Sequence, residues 1–420
     1  VGVFDPGWLE EEKSEMEAQG LMKYYRDSLS SSVRLLNVSA KAFIEKLRGM
    51  PEFSGYFYWL INDYPAGTPE GPSWYWGWLN YFWEPKAITT EESRQMNAPV
   101  LALIDAPLNS RSFWIEEPKM IRLSVSNFGS ASLENSKVTW EILQKEKILA
   151  SGTLPIHSAP LGAISSVGEI QIPRLPLMKA SEVDLRVRIV GVDGASYMNR
   201  WKFWAFPRRA IARQMPLPVT SLLHSTRLKR FYPFHRDWSA NVNPQGVLVT
   251  EDLRAEAVHF LEQGGRVVLL AGPGRFGRRT SYFPVTGGAM GIYVRSNSPA
   301  LSVFPNDGFC DLQFFNLFEG GVQFDLSNAL EPIVGGIQMI RGSKNLFKKV
   351  SYLAEAKVGR GKLLVSTLNI EPNLDEANPE VVSIFDDLLR YAASPQFQPT
   401  TVVTREEIDN LRVPYTEMIH

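Results

Sequence analysis

Cysteine is all but absent. Cys310 stands alone, so no internal disulfide and no C-x-x-C metal or redox motif can form. A lone thiol leaves the compartment open, and the bacterial periplasm and the extracellular medium stay open with it, because many exported bacterial proteins lack disulfides. The five histidines, His157, His224, His235, His259 and His420, fall in no metal-ligand spacing, so no metal site is expected. Charge of one sign is also missing. Forty-four Lys and Arg against 45 Asp and Glu leave a net charge of -1, which argues against nucleic acid as the main partner. No run of about 18 apolar residues offers a membrane span. The opening VGVFDPGWLEEEK has neither a basic n-region nor an apolar h-region and is no signal peptide. It also carries no initiator Met, which leaves room for an export signal upstream. There is no internal repeat and no low-complexity tract.

What is present is globular. The 420 residues are 44% hydrophobic and 21% charged. At roughly 100–200 residues per domain the length predicts about two to four units. The aromatics are uneven. Trp59, Trp74, Trp76, Trp78 and Trp83 crowd one short stretch with Tyr56, Tyr58, Tyr64, Tyr75 and Tyr81.

Residues 10–50 read as helical. SAKAFIEKL at 39–47 places Ala42, Phe43 and Leu47 at helical spacing, and Gly49 and Pro51 follow as stops. GYFYWLI at 55–61 reads as a buried strand. A loop rich in Pro, Gly and Trp comes next, then GWLNYFWEPK at 77–86. Helix, buried strand and long loop fit the last βα unit of a barrel or open α/β sheet.

From 98 to 207 short alternating runs recur between turn residues. In EVDLRVRIV (182–190), Val183, Leu185, Val187 and Ile189 alternate with polar positions, the mark of a half-buried strand. The segment predicts an all-β sandwich that closes on NRWKFWAFP at 199–207. From 216 to 395 the pattern becomes strand–helix–strand. GVLVT (246–250) precedes a helix with Asp252 as N-cap and Gly264 and Gly265 at its end, then RVVLL (266–270). GKLLVSTLNI (361–370) and a helix over 379–394 follow. Short connections of this kind imply parallel pairing.

At the aromatic stretch, PEFSGYFYWLINDYPAG followed by GWLNYFWEPKAITTEESRQMNAP resembles the end of the catalytic barrel in glycoside hydrolase family 2, β-galactosidase-like members included. There the last barrel strand carries a pattern like G-Y-x-x-W-x-x-N/D-D, and a segment like G-L-L-D-x-F-x-x-P-K closes the barrel. Leu79, Asn80, Phe82, Pro85 and Lys86 stand at the matching places, with Asn80 in place of the usual acid. NFGSASLENSKVTWEIL and ASGTLP look like the immunoglobulin-like sandwich behind such a barrel. EQGGRVVLL, FPNDGFCDLQFFNL and GKLLVSTLNI are similar to accessory domains of glutamine-amidotransferase-like, flavodoxin-like shape. The fold expected is therefore multidomain α/β plus all-β: a partial (β/α) barrel end over 1–97, an Ig-like β-sandwich over 98–207, a flavodoxin-like α/β domain over 208–398 and a polar tail over 399–420.

The resemblance implies a retaining β-glycoside hydrolase acting on terminal β-linked sugars. Such enzymes hold two glutamates about 5–5.5 Å apart across the scissile bond. The chain is expected to begin after both of the strands that carry them, so its catalytic residues are unknown. Glu10, Glu11, Glu12, Glu15 and Glu17 sit in a helical surface run, a poor setting for a nucleophile. The expected partner polypeptide is the N-terminal part of the same enzyme or a second copy of the chain. The alternative is a non-catalytic carbohydrate-binding or scaffold protein working with a partner chain.

Five residues are candidates for binding substrate. Trp59, Asn62 and Asp63 fall at the carboxyl end of the proposed barrel strand, the face where such barrels build their sites. An indole can stack on a sugar while Asn and Asp bond its hydroxyls. The other reading makes Trp59 core filler and Asp63 a turn cap. Trp74 and Trp76 are placed between a binding surface and packing of the barrel rim, whereas Trp78 and Trp83 are expected to pack.

No cofactor is expected. GPGRFG (272–277) has the G-x-G-x-x-G letters after a strand, but RRTSYFP follows instead of a helix. Cys310, in DGFCDLQFF, lacks the small flanking residues of a nucleophile elbow, and His259 falls inside a predicted helix, so an amidotransferase-type site is not expected. Arg208, Arg209, Arg213, Arg227, Lys229 and Arg230 read as a solvated basic linker.

Overall fold

The computed structural model describes residues 7–58, 60–63, 77–80, 82–86, 88–191, 194–208, 215–223, 225–233, 235–239, 242–272, 278–279, 282, 291–296, 298–323, 330–339 and 347–410. The chain divides into two compact units. One takes in Val1–Ser32 and Arg209–His420, the other Val33–Gly67 and Pro72–Arg208. Residues 1–97, expected as a single fragment, are thus shared between them.

Three helices open the chain. α1 (Gly7–Ala18) is followed by Gly20 in the left-handed region at φ 66. α2 (Met22–Arg48) ends with Lys46 and Arg48 in its last turn, where cations suit the helix dipole. The division between the units falls inside it. α3 (Thr90–Asn97) starts at a capping box formed by Thr89 and Glu92.

In the unit that begins at Val33, eight strands form two sheets: β1 (Val100–Asp105), β2 (Ser112–Trp114), β3 (Lys119–Asn127), β4 (Leu133–Gln144), β5 (Lys147–Ala159), β6 (Ala163–Ile172), β7 (Ser181–Val190) and β8 (Ser196–Phe206). Their orders are β1-β3-β6 and β2-β8-β7-β4-β5. Every pair is antiparallel except β2 with β8. The two sheets share one core. Val183, Leu185, Val187 and Ile189 of β7 are fully buried in it with Val138, Ile142 and Phe203. The polar residues between them form cross-strand ion pairs, Arg186 to Glu141 and Arg200 to Asp184, each at 2.6 Å.

Two polar clasps hold the second half of α2 to these sheets. The Glu45 carboxylate accepts hydrogen bonds from Lys41 Nζ (2.6 Å), Asn199 Nδ2 (2.8 Å) and Trp201 Nε1 (2.9 Å). Arg48 donates to the carbonyls of Ala98, Pro99 and Ser126 and lies over the Phe128 ring.

The other unit is built on a nine-stranded mixed sheet. Its elements are β9 (Val219–Ser221), α4 (Thr226–Phe231), β10 (Arg236–Asp237), β11 (Val247–Thr250), α5 (Ala255–Glu262), β12 (Arg266–Leu270), β13 (Arg278–Arg279), β14 (Tyr293–Val294), α6 (Phe315–Phe318), β15 (Val322–Gln323), β16 (Glu331–Met339), β17 (Phe347–Val358), β18 (Gly361–Ser366), α7 (Ile370–Asn373), α8 (Pro379–Ala393), β19 (Val402–Val403) and α9 (Arg405–Asn410). Strand order is β10-β9-β11-β12-β18-β17-β16-β14, with β19 beside β17 and β13 paired separately with β15. The strands from β10 to β18 are all parallel, and numbered along the chain they run 2-1-3-4-5. The remaining β17, β16 and β14 extend the sheet antiparallel.

Two local expectations are corrected. Asp252 is not the N-cap of α5. It is tied back to Thr250, whose Oγ1 donates to the Asp252 carbonyl at 2.7 Å, and the helix starts two residues later behind Arg254. Nor does a polar tail begin at 399. β19 pairs with β17, and Val403 and Ile408 are buried in the core of the unit. Two apolar side chains among Thr and acidic residues are too few to read as a periodic pattern, yet both are buried in that core.

Buried phenols mark this unit. Tyr24 on α2 donates to Glu331 Oε2 at 2.8 Å, and burial pushes its phenol up to about 12. Burial likewise raises Tyr232, Tyr293 and Tyr391. Folding favours the protonated form of each. Their contribution is therefore whole below the unfolded value near pH 10 and is lost as pH rises through the folded values. Urea midpoints measured from pH 8 to 12 are expected to stay level to about pH 10 and then fall steeply. A flat profile to pH 12 contradicts this.

Candidate functional site

The aromatic segment GYFYWLI at 55–61 is expected to be a buried strand, and it is not. Its described residues belong to no strand, and Phe57 is 90% exposed. Exposure alternates. Tyr56, Tyr58 and Leu60 are half-buried, while Phe57 and Ile61 point outward. The inward face has a clear partner. Tyr56 and Tyr58 pack with Trp78 on a small core of Ala40 and Ile44 from α2, Ile88, and Met96 from α3. The Tyr58 and Trp78 rings lie 4.6 Å apart. So the segment has the two-faced character of a strand lying on helices, with its second face bare. Its composition favours a strand, but a ladder needs a neighbouring strand to pair with.

At its carboxyl end the chain is stapled. Leu79 donates to Ile61 O (2.8 Å) and accepts from Asp63 N (2.9 Å), which makes a parallel bridge between Asn62 and Leu79. The Asp63 side chain, 3% exposed, turns inward. Its Oδ1 accepts from Gly77 N at 2.8 Å, and both oxygens accept from Lys86 Nζ at 2.9 Å. Gly77 has to be glycine, because a Cβ there would lie 2.4 Å from the Asp63 nitrogen. Asp63 is thus the lock of this loop. Half-buried Asn62 gives one amide hydrogen to the Asp63 carbonyl at 3.2 Å and keeps capacity for a further bond. The structure brings these two candidates together. Trp59, Trp74 and Trp76 lie outside the described residues.

Beyond Leu79 the chain makes a tight turn. Asn80 Oδ1 accepts from Phe82 N (2.9 Å) and Glu84 N (3.0 Å), and Asn80 Nδ2 donates to Glu84 Oε2 (2.8 Å). Asparagine in place of the acid usual in the resembling family has a local reason here. Its amide can donate to Glu84, where a second carboxylate would repel it. Trp78 packs as expected, but Trp83 does not. It is 65% exposed, beside Phe82 at 82%, and its backbone sits at φ 64. For a bulky residue the left-handed region costs about 1–2 kcal/mol. Sequence reading missed this pair. The available signal was an Asn two residues before them, a common turn former.

In the other unit, the point where the parallel strand order reverses lies between β9 and β11, the usual ligand crevice of an open α/β sheet. Its hydroxyls hold their own loops. Ser221 Oγ accepts from Leu223 N, Thr250 is tied to Asp252, and Ser225 Oγ caps α4 at Leu228 N and donates to Glu371. Cys310 is buried, with its carbonyl taking the Tyr282 hydroxyl at 3.0 Å, whereas His259 lies on the solvent side of α5. In the expected basic linker, Arg208 pairs with Glu117, Lys229 with Asp237 and Arg230 with Glu376. Of GPGRFG only Gly272 is among the described residues. The acids of α1 form a helical surface, with Glu15 taking Gln19 and the Phe347 N–H. Among the described residues, no three His, Cys, Asp or Glu gather to hold a metal, and no helix is long and apolar enough to cross a membrane.

Two families match parts of the chain. One, described as Domain of unknown function (DUF8488), covers residues 117–207, and another, Domain of unknown function (DUF8487), covers 248–413. No curated protein matches. Among solved structures, exo-chitosanase CsxA of Amycolatopsis orientalis is similar at 17% identity and a TM-score of 0.27, over 39% of this chain and 17% of that one. A cycloisomaltooligosaccharide glucanotransferase of Paenibacillus sp. follows at 8% identity and a TM-score of 0.20, over 39% and 26%. A superoxide reductase (neelaredoxin) of Ignicoccus hospitalis has 14% identity and a TM-score of 0.18, over 25% and 79%. Two of the three are carbohydrate-active enzymes by name. Likenesses this low are local and decide no function.

Proposed function

We propose that this chain is the C-terminal part of a retaining β-glycoside hydrolase, β-galactosidase-like in kind, with residues 53–63 and 77–86 as the closing strand and turn of its (β/α) barrel. The observation that carries the reading is the two-faced segment 53–61. One face lies on α2 and α3, as a barrel strand lies on its helices, and the other, with Phe57 and Ile61, is bare, as a lumen face without its neighbours would be. The motif GYFYWLIND with LNYFWEPK supports the same reading.

In this scheme the other strands and the two glutamates come from polypeptide outside these 420 residues. One glutamate attacks the anomeric carbon, and the other protonates the leaving oxygen and then activates water. This chain supplies the rim. Asn62 bonds a sugar hydroxyl, Trp59, Trp74 and Trp76 offer stacking rings, and Asp63 holds the loop that presents them. The two-sheet unit is read as Ig-like and the 2-1-3-4-5 sheet as flavodoxin-like, both accessory to the barrel.

The test is hydrolysis of a panel of chromogenic β-glycosides by the purified chain, run beside binding of an apolar-surface dye. The chain alone is expected to turn over nothing and to bind the dye through its bare face. Turnover lost on a Glu-to-Gln change at Glu10, Glu11, Glu12, Glu15 or Glu17 would place the catalytic pair here and sink the reading. A dye-silent monomer would sink it as well. The exposure of Phe82 and Trp83 also suits a carbohydrate-binding protein without catalysis, which predicts sugar affinity and no turnover with any partner.

A further inference from the structure

The turn from Asn80 to Glu84 holds two large rings out into solvent, and it does so against a backbone preference. Trp83 sits at φ 64, a conformation that bulky residues avoid. What keeps it there is local. Trp83 N donates to Asn80 O at 3.0 Å and Asn80 N donates to Glu84 O at 2.9 Å, while the Asn80 side chain bonds Phe82 N, Glu84 N and the Glu84 carboxylate. The backbone that carries the rings is fixed in advance of any contact, which lowers the entropy cost of binding on them. Strain of this kind collects at ligand clamps. The turn also lies at the carboxyl end of segment 53–61, through the Asn62–Leu79 bridge.

We propose that this turn is a pyranose-stacking platform, with Trp83 and Phe82 as the stacking rings and Glu84 as an acceptor for sugar hydroxyls. The inference rests on the barrel reading for its place on the rim of the sugar site. The ligand is a β-linked oligosaccharide with equatorial hydroxyls, whose rings present apolar C–H faces to an indole. The Glu84 carboxylate favours a sugar over a covering protein. One of its oxygens bonds Asn80, and the residue is exposed. A protein lid over the rings would desolvate that charge, whereas sugar hydroxyls bond to it.

The experiment titrates the whole chain with cellotetraose, follows tryptophan fluorescence, and measures thermal midpoints in parallel. Wild type is expected to saturate. Trp83→Gly, which relieves the left-handed strain, is expected to raise the thermal midpoint and weaken binding about tenfold, the size of one lost aromatic stack. Met178→Ala, at an exposed apolar residue on the two-sheet unit, is expected to change neither. No saturation by wild type, equal affinity of Trp83→Gly, or a lowered midpoint in that variant each overturns the platform. The readout needs no turnover. Binding by the chain, with no hydrolysis even by the completed enzyme, leaves the platform standing while the barrel reading fails, and hydrolysis by the completed enzyme with equal Trp83→Gly affinity does the reverse.

Discussion

Lys86→Met should be among the most damaging single changes in the barrel-like segment. It leaves the Asp63 carboxylate, 3% exposed, with the Gly77 N–H but without the ammonium that touches both its oxygens. Breaking a buried pair from one side costs about 3–5 kcal/mol, because an uncompensated charge stays inside. The loss should be local. Amides of 61–63 and 77–86 are expected to exchange far faster, since Asp63 N, Leu79 N and Lys86 N all donate across this staple. Pairing the change with Asp63→Asn removes the orphan charge and should recover much of the loss. Hydrogen exchange by mass spectrometry on the three variants decides it. If Lys86→Met exchanges like wild type, Asp63 is not the lock of the loop and returns as a sugar ligand.

The second large effect is expected at Glu45. Replacement by alanine strips the acceptor shared by Lys41, Asn199 and Trp201 and leaves those donors short of partners at the junction of α2 and the sheets. Each buried donor left unmade costs about 1–3 kcal/mol, and the three share one network, so a total of about 3 kcal/mol is expected rather than their sum. Lys41→Met alone should cost less. The double variant should be little worse than Glu45→Ala, because both act on the same clasp. Denaturant midpoints of the four proteins test this. Additive losses would mean that the two side chains act independently.

Both predictions concern contacts made at long range, which is why the sequence only hinted at them. Asp63 reads as a ligand because it closes an aromatic strand. Its partners, Gly77 and Lys86, come after a loop whose path no local pattern encodes. Asn80 reads as a departure from a family motif until its amide is seen donating to Glu84. Trp83 reads as packing because it sits in the segment that closes the expected barrel. Its exposure follows from where the Asn80 turn aims the chain, a matter of a few dihedral angles.

The sequence by itself determined the classes of local structure and the chemistry ruled out. Period-two alternation set β7, because side chains on a strand point to opposite faces. Runs of Val and Leu set β11, β12 and β18, which are buried on both faces and so need no polar alternation. A single cysteine closed off an internal disulfide as an organising principle. The tertiary structure alone decided where those pieces meet. It divided the first 97 residues between two units, gave Val403 and Ile408 a core to enter, and turned Asp63 inward to Lys86. It left Phe57 and Ile61 without cover. The physical reason is the same each time. Periodicity acts within a few residues, whereas burial, ion pairing and the completion of a sheet depend on groups that only the folded chain brings near.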